Sequence, residues 1–267
     1  MIYELRRYTL RPGTRDALIE LFEREFVETQ EEVGIELVAQ FREPAAPDAF
    51  VWIRAFPDMD ARQRSLTAFY TGPAWKAHRD AARATMIDTD DVLLLRSVLG
   101  EPFGGVTAPR APVDAGAHAG AHAGDPAGPE SGAPPAEAAR PEGGDPPPEA
   151  AGPESGAPPA EAARPESGGP PAEAAGPYEM GVYVLTVFHV ADGFTERFAE
   201  LAPGAVACFE TEPAANTYTP LPVREGVNVF AWFTAGADKP VLEGVDELLT
   251  GPPEQYVLQP TARSRVR

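Results

Sequence analysis

The chain has 267 residues, enough for one large domain or two small ones, and carries a formal net charge of −19. So acidic a balance serves solubility and repels polyphosphate, which excludes nucleic acid and an anionic membrane surface as partners. Cys208 is the single cysteine, so an intrachain disulfide and a thiolate zinc site are both excluded.

Glu4, Arg6 and Arg7 interrupt the N-terminal stretch, and no run of about 18 apolar residues occurs. No signal peptide and no membrane span are expected, and the setting is expected to be cytoplasmic. Tyr3-Glu4-Leu5-Arg6-Arg7-Tyr8-Thr9-Leu10 alternates at period two and stops at Pro12-Gly13, which predicts a strand with two different faces. From Thr14 to about Glu32, Leu18, Leu21, Phe22 and Phe26 return at helical spacing, with Glu20, Glu23, Arg24, Glu28 and Glu31 opposite. Gly34 ends that predicted helix. Residues 35–41 and 49–56 predict two strands joined by a turn at 44–47. Asp60 is placed to cap a helix through Tyr70. Thr71-Gly72-Pro73 breaks it, and Pro73 opens a further helix to about Thr85. Residues 90–98 give the fourth strand. Strand, helix, strand, strand, helix, strand is the split β-α-β order of ferredoxin-like domains.

Residues 104–177 contain no Phe, Tyr or Trp and are dense in Pro, Ala, Gly and Glu. A twelve-residue unit recurs there from Pro129, Pro141, Pro153 and Pro165. Such a segment buries too little apolar area to offset its ordering entropy, so a disordered linker is predicted and not a solenoid. His118 and His122 lie within it, and two tethered imidazoles alone make a poor metal site.

The opening strand then returns as Tyr178-Glu179-Met180-Gly181-Val182-Tyr183-Val184-Leu185. Asp192-Gly193 stands for Pro12-Gly13, Phe209 and Glu212-Pro213 for Phe41 and Glu43-Pro44, Phe230-x-Trp232 for Phe50-x-Trp52, and Thr250-Gly251-Pro252 for Thr71-Gly72-Pro73. This copy is degraded: its first helix is cut at Pro203-Gly204, its hairpin loop runs from about Ala214 to Gly226, and its last helix is missing. Three regions follow: 1–103, a linker at 104–177, and 178–267.

A four-stranded sheet covered by two helices leaves one face bare, and two such sheets hide their bare faces by closing a barrel together. A linker of 74 residues spans roughly 45–50 Å as a flexible coil, so the copies can pair within one chain or between two. Effective concentration favours an intrachain pseudo-dimer over a homodimer.

Residues 3–13 resemble the opening signature of the NIPSNAP family, and Phe50-Val51-Trp52-Ile53, Phe56, Arg64 and Gly72-Pro73-Ala74-Trp75 resemble its later landmarks. The resemblance covers about 1–100 well and 178–267 weakly. It implies an α+β fold in which two ferredoxin-like domains form a dimeric α/β barrel, with a cavity between the sheets for a small apolar or aromatic molecule. No cofactor is expected, with haem as the alternative that barrel relatives suggest. The resemblance implies no reaction.

Within such a cavity the polar candidates are Arg6 and Tyr8, which share a strand face with Glu4; an Arg-Tyr pair binds a carboxylate or phenolate. The plainer reading is a rim salt bridge between Glu4 and Arg6. Trp52, Trp75 and His78 complete the candidate ligand-binding set. Trp75 and His78 are three apart on one helix face, and His78 is the only histidine of the first copy. It is the candidate catalytic residue, as a general base or axial haem ligand, or else a surface histidine beside Lys76 and Arg79. His189 reads as a packing residue. Dinucleotide and phosphate loops, His-Glu-x-x-His and Gly-x-Ser-x-Gly are all absent. Three functions stay open: a small-molecule binder, a cofactor-free or haem-dependent monooxygenase or cyclase, and an interaction scaffold built on the linker.

Overall fold

Alternation in the first strand translates into two buried faces. In a computed structural model that describes residues 1–105, 109–113, 181–201, 204–236 and 244–267, β1 (Ile2–Leu10) turns Tyr3 and Leu5 one way and Glu4, Arg6 and Tyr8 the other. Residues 114–177, with the repeats, His118 and His122, lie outside the described residues, as do Tyr178, Glu179 and Met180.

After the Gly13 turn the predicted helix forms as α1 (Arg15–Leu21), a π-helical turn (Phe22–Phe26) and α2 (Val27–Glu31). Phe22 and Phe26, at the two ends of the wider turn, are both buried against the sheet. β2 (Glu36–Arg42) and β3 (Ala49–Phe56) follow as a hairpin. Asp58, and not Asp60, caps α3 (Met59–Thr71): its Oδ1 accepts from the Ala61 N–H at 2.7 Å. Pro73 opens α4 (Pro73–Arg83), where its missing N–H costs nothing. A short β4 (Met86–Asp88) precedes β5 (Val92–Ser97).

The second half supplies β6 (Tyr183–His189), α5 (Phe194–Leu201), β7 (Ala205–Thr211), β8 (Val229–Ala235) and β9 (Glu254–Pro260). Its strand order, β9-β6-β8-β7, copies the β5-β1-β3-β2 of the first half. The register corrects the expected repeat. Arg6 faces Trp52 and Tyr8 faces Phe50, just as Thr186 faces Trp232 and Phe188 faces Phe230. Tyr183, and not Tyr178, is therefore the counterpart of Tyr3, and the recurrence of Tyr-Glu at 178 is a coincidence of composition. No counterpart of α3 or α4 occurs among the described residues; a single 3-10 turn, Asp246–Leu248, stands there.

The halves meet edge to edge within the chain. β5 pairs with β7 (Leu95 opposite Thr211) and β2 with β9 (Phe41 opposite Pro260). With β1–β3 pairing inside the first half, eight of the nine strands close a barrel and leave no free edge. Its lumen is packed by both halves: Tyr3, Phe41, Phe209 and Phe233 interlock, with Phe41 and Phe233 stacked at 6.3 Å. The outer face of each sheet carries its own core, one under α1–α4 and one under α5. Residues 109–113, expected in the linker, instead dock across both halves: Arg110 finds the Glu31 carboxylate and Leu37 carbonyl of the first and the Arg263 carbonyl of the second.

Candidate functional site

The face of β1 bearing Glu4, Arg6 and Tyr8 looks at the helices and not into the lumen. Beside it on β3 stand Trp52, opposite Arg6, and Arg54, opposite Glu4. The first turn of α3 adds Arg62. Glu4, Arg6, Arg54 and Arg62 are each no more than 1% exposed.

Glu4 is the hub. Its Oε2 accepts from Arg6 Nη1 and Arg54 Nε, both at 2.7 Å, and its Oε1 from Arg62 Nε at 2.6 Å. The expected Glu4–Arg6 bridge is thus present, but in the interior and not on a rim. Burial alone would raise the Glu4 pKa, yet Arg54, Arg6 and Arg62 outweigh it and hold the carboxyl well below the usual carboxylate range. Arg62 goes the other way: burial, with repulsion from Arg54 and Arg6, pushes its guanidinium below the ordinary value in spite of Glu4.

One carboxylate among three guanidinium groups leaves two positive charges without a counter-ion. Neutral partners meet part of the need. Arg6 Nε donates to Tyr8 Oη at 3.1 Å, Arg54 Nη1 to Gln30 Oε1 at 3.3 Å, and Arg62 Nη1 to Asn216 Oδ1 at 2.9 Å. The Trp52 ring lies 5.4 Å from the Arg6 guanidinium and 5.1 Å from that of Arg54. Even so, Arg62 Nη2, Arg54 Nη2 and Trp52 Nε1 are buried without a hydrogen-bond acceptor. Arg54 Nη2 does lie 2.6 Å from Glu4 Oε2, in a charge contact that lacks hydrogen-bond angles.

Asn216 comes from the second half. It lies on the loop between β7 and β8, which runs for seventeen residues (212–228) where the first half has six (43–48). Tyr218 of this loop stacks on Tyr70 at 6.2 Å, and Leu221 packs on the first-half outer core. Arg224 pins the loop to the first half through Val92 O and Asp91. Asn216 also lines a groove of about 810 Å³, whose charged lining is Asp192, Glu196, Glu210, Glu212 and Glu225 with Arg96 and Arg224.

Of the residues singled out from sequence, Arg6, Tyr8 and Trp52 come together here. Trp75 joins through Tyr70, 4.9 Å away ring to ring. His78 does not: its Nε2 lies 3.3 Å from Glu25 Oε2 and its ring edges onto Phe26. Arg54 and Arg62 were missed, although each left a signal. Arg54 is a lone charge in the apolar run of 49–56, and Arg62 shares a helical face with Leu66 and Phe69.

The lumen retains a cavity of about 20 Å³ beside Leu5, Val51, Leu93 and Tyr256, room for about one water. A porphyrin does not fit there, and His78 does not face it. At this mouth Arg7 pairs with Glu43 at 3.0 Å and Arg224 with Asp91 at 3.3 Å, while His189 Nε2 lies within hydrogen-bond distance, 2.7 Å, of Glu254 Oε1. His189 is thus a hydrogen-bonding residue of the barrel mouth. Burial pushes the Cys208 thiol up to about 12, which removes it as a nucleophile. Among the described residues no helix is long and apolar enough to cross a membrane.

The architecture is that of two ferredoxin-like halves fused into one α/β barrel, with a buried charged cluster on the helix side of the first. The NIPSNAP family model matches residues 3–98, most of the first half. No curated protein matches the chain. Among solved structures it is similar to a NIPSNAP family protein of unknown function from Agrobacterium tumefaciens, with 27% identity over 35% of this chain and 85% of that one, at a TM-score of 0.33. A protein provisionally named a monooxygenase, from Lactobacillus acidophilus, is 12% identical over 98% of this chain and 96% of that one, at a TM-score of 0.47.

Proposed function

We propose that the protein binds a small aromatic molecule on the helix side of its NIPSNAP domain, with the closed barrel as scaffold and not as vessel. The observation that carries this is the group of buried donors without acceptors beneath a seventeen-residue loop (212–228). Loops of that length without regular structure are uncommon in compact domains and are usually functional. Trp52 and Tyr8 form the floor, and Tyr70 and Tyr218, both only half-buried, form the aromatic edge that faces outward. Burial comes first in pushing the Tyr8 pKa up, so its hydroxyl serves as a neutral partner, and binding alone accounts for the arrangement.

Native mass spectrometry of the purified protein tests this. A small aromatic molecule is expected on the wild type and on the lumen variant Phe233→Leu, and is expected to be lost from Tyr70→Ala/Tyr218→Ala. Retention by the tyrosine variant with loss from Phe233→Leu puts the ligand in the lumen and overturns the proposal.

A further inference from the structure

Resting on the site just proposed, we infer that its ligand bears a carboxylate, which pairs end-on with Arg62, and that Asn216 is the placeholder it displaces. Two uncompensated positive charges in a desolvated cluster remain costly even after relaxation. Aromatic faces offset part of this cost, and an anion would offset more. The Nε of Arg62 is taken by Glu4, which leaves the Nη1–Nη2 end of the guanidinium. Nη2 has no acceptor and Nη1 has only a neutral amide oxygen. Two parallel N–H groups on one planar end match the two oxygens of a carboxylate.

Asn216 is built to leave. It sits in irregular backbone, is half-buried, and lines the groove of about 810 Å³. It is held by its own loop, with Nδ2 donating to Leu221 O at 2.9 Å and Oδ1 accepting from the Tyr218 N–H at 3.1 Å. The groove's charged lining has five acids, Asp192, Glu196, Glu210, Glu212 and Glu225, against Arg96 and Arg224, so it suits the displaced amide better than an anion. Trp52 Nε1, buried and without an acceptor on the same sheet face, is a further donor in the cluster.

Calorimetric titration with benzoate and with benzamide, its neutral near-isostere, decides the matter. The full chain is expected to bind benzoate at least about tenfold more tightly than benzamide. Asn216→Ala, which removes the competitor, is expected to tighten benzoate several-fold and leave benzamide unchanged, while Arg62→Gln abolishes the preference. Arg62→Lys, which keeps the charge but not the planar pair, guards against misfolding of the glutamine variant and is expected to retain part of the preference. Hydrogen exchange at the Tyr218 amide should speed up on benzoate addition, because its acceptor has moved. Equal binding of benzoate and benzamide overturns the carboxylate and leaves the aromatic site standing. Binding of neither, to wild type or Asn216→Ala, overturns both.

Discussion

β1 and β6 hold the same station in the two halves of the barrel, yet they carry opposite chemistry on their outer faces. Where β1 presents Glu4, Arg6 and Tyr8, β6 presents Val184, Thr186 and Phe188, and where β3 presents Arg54, β8 presents Thr234. Both faces are buried, so exposure does not account for the contrast. The inner faces, by comparison, match: Tyr3 and Leu5 against Tyr183 and Leu185. Lumen packing constrains both copies equally, whereas the outer face is constrained only by what covers it. The first half is covered by four α-helices, a π-helical turn and a loop donated by its sibling; the second has α5 and a single 3-10 turn among the described residues. One half thus holds the charged cluster, and the other closes the barrel and roofs the cluster.

The largest way to break this comparison is Glu4→Gln. It leaves three buried guanidinium groups facing a neutral amide, and the expected loss is about 3–5 kcal/mol in urea unfolding. A loss below about 1 kcal/mol would show that the arginines are satisfied without their carboxylate. Phe233→Ala comes next. Its ring touches Phe41, Phe103 and Phe209 from both halves, so truncation should cost about 3–5 kcal/mol and open a dry lumen that takes up benzene. Failure to bind benzene would mean that the lumen collapses instead.

Acid pH probes the same hub more gently. The folded Glu4 carboxyl is held below its ordinary value of 4.5. Its contribution is therefore complete above that pH and is lost as pH falls from there toward the folded value. The melting temperature should drop progressively below about pH 4.5, and Glu4→Gln should flatten that limb relative to wild type. An unchanged limb in the variant would assign the acid loss to other carboxylates.

Much of this was legible from residue order. Period-two alternation, Pro-Gly stops and the recurrence of Phe-x-Trp gave the eight barrel strands in their chain order, because each reports local geometry or a repeated packing need; the short β4 (Met86–Asp88) was not foreseen. The direction of a face was not legible. Alternation says that Glu4, Arg6 and Tyr8 point together, but not whether toward lumen or helices, since both sides of β1 are buried. The repeat was misread by five residues for a related reason. Tyr-Glu at 178 matches letters, while the register is set by cross-strand partners such as Trp232 that lie far along the chain. Asn216 gave no signal at all, for its meeting with Arg62 spans 154 positions and depends on closure of the barrel.

The smallest expected effect closes the comparison from the other side. Thr186 holds in β6 the station of Arg6, and its hydroxyl accepts a single long hydrogen bond, 3.4 Å, from Gln255 Nε2. Thr186→Val keeps the branched shape, removes that bond, and should change stability by no more than about 1 kcal/mol. The surrounding Phe188, Phe230 and Trp232 offer no charge that would be stranded. A loss as large as that of Glu4→Gln would mean that the second half has a polar centre of its own. The halves would then differ in degree, and the single-site reading of the barrel would have to be given up.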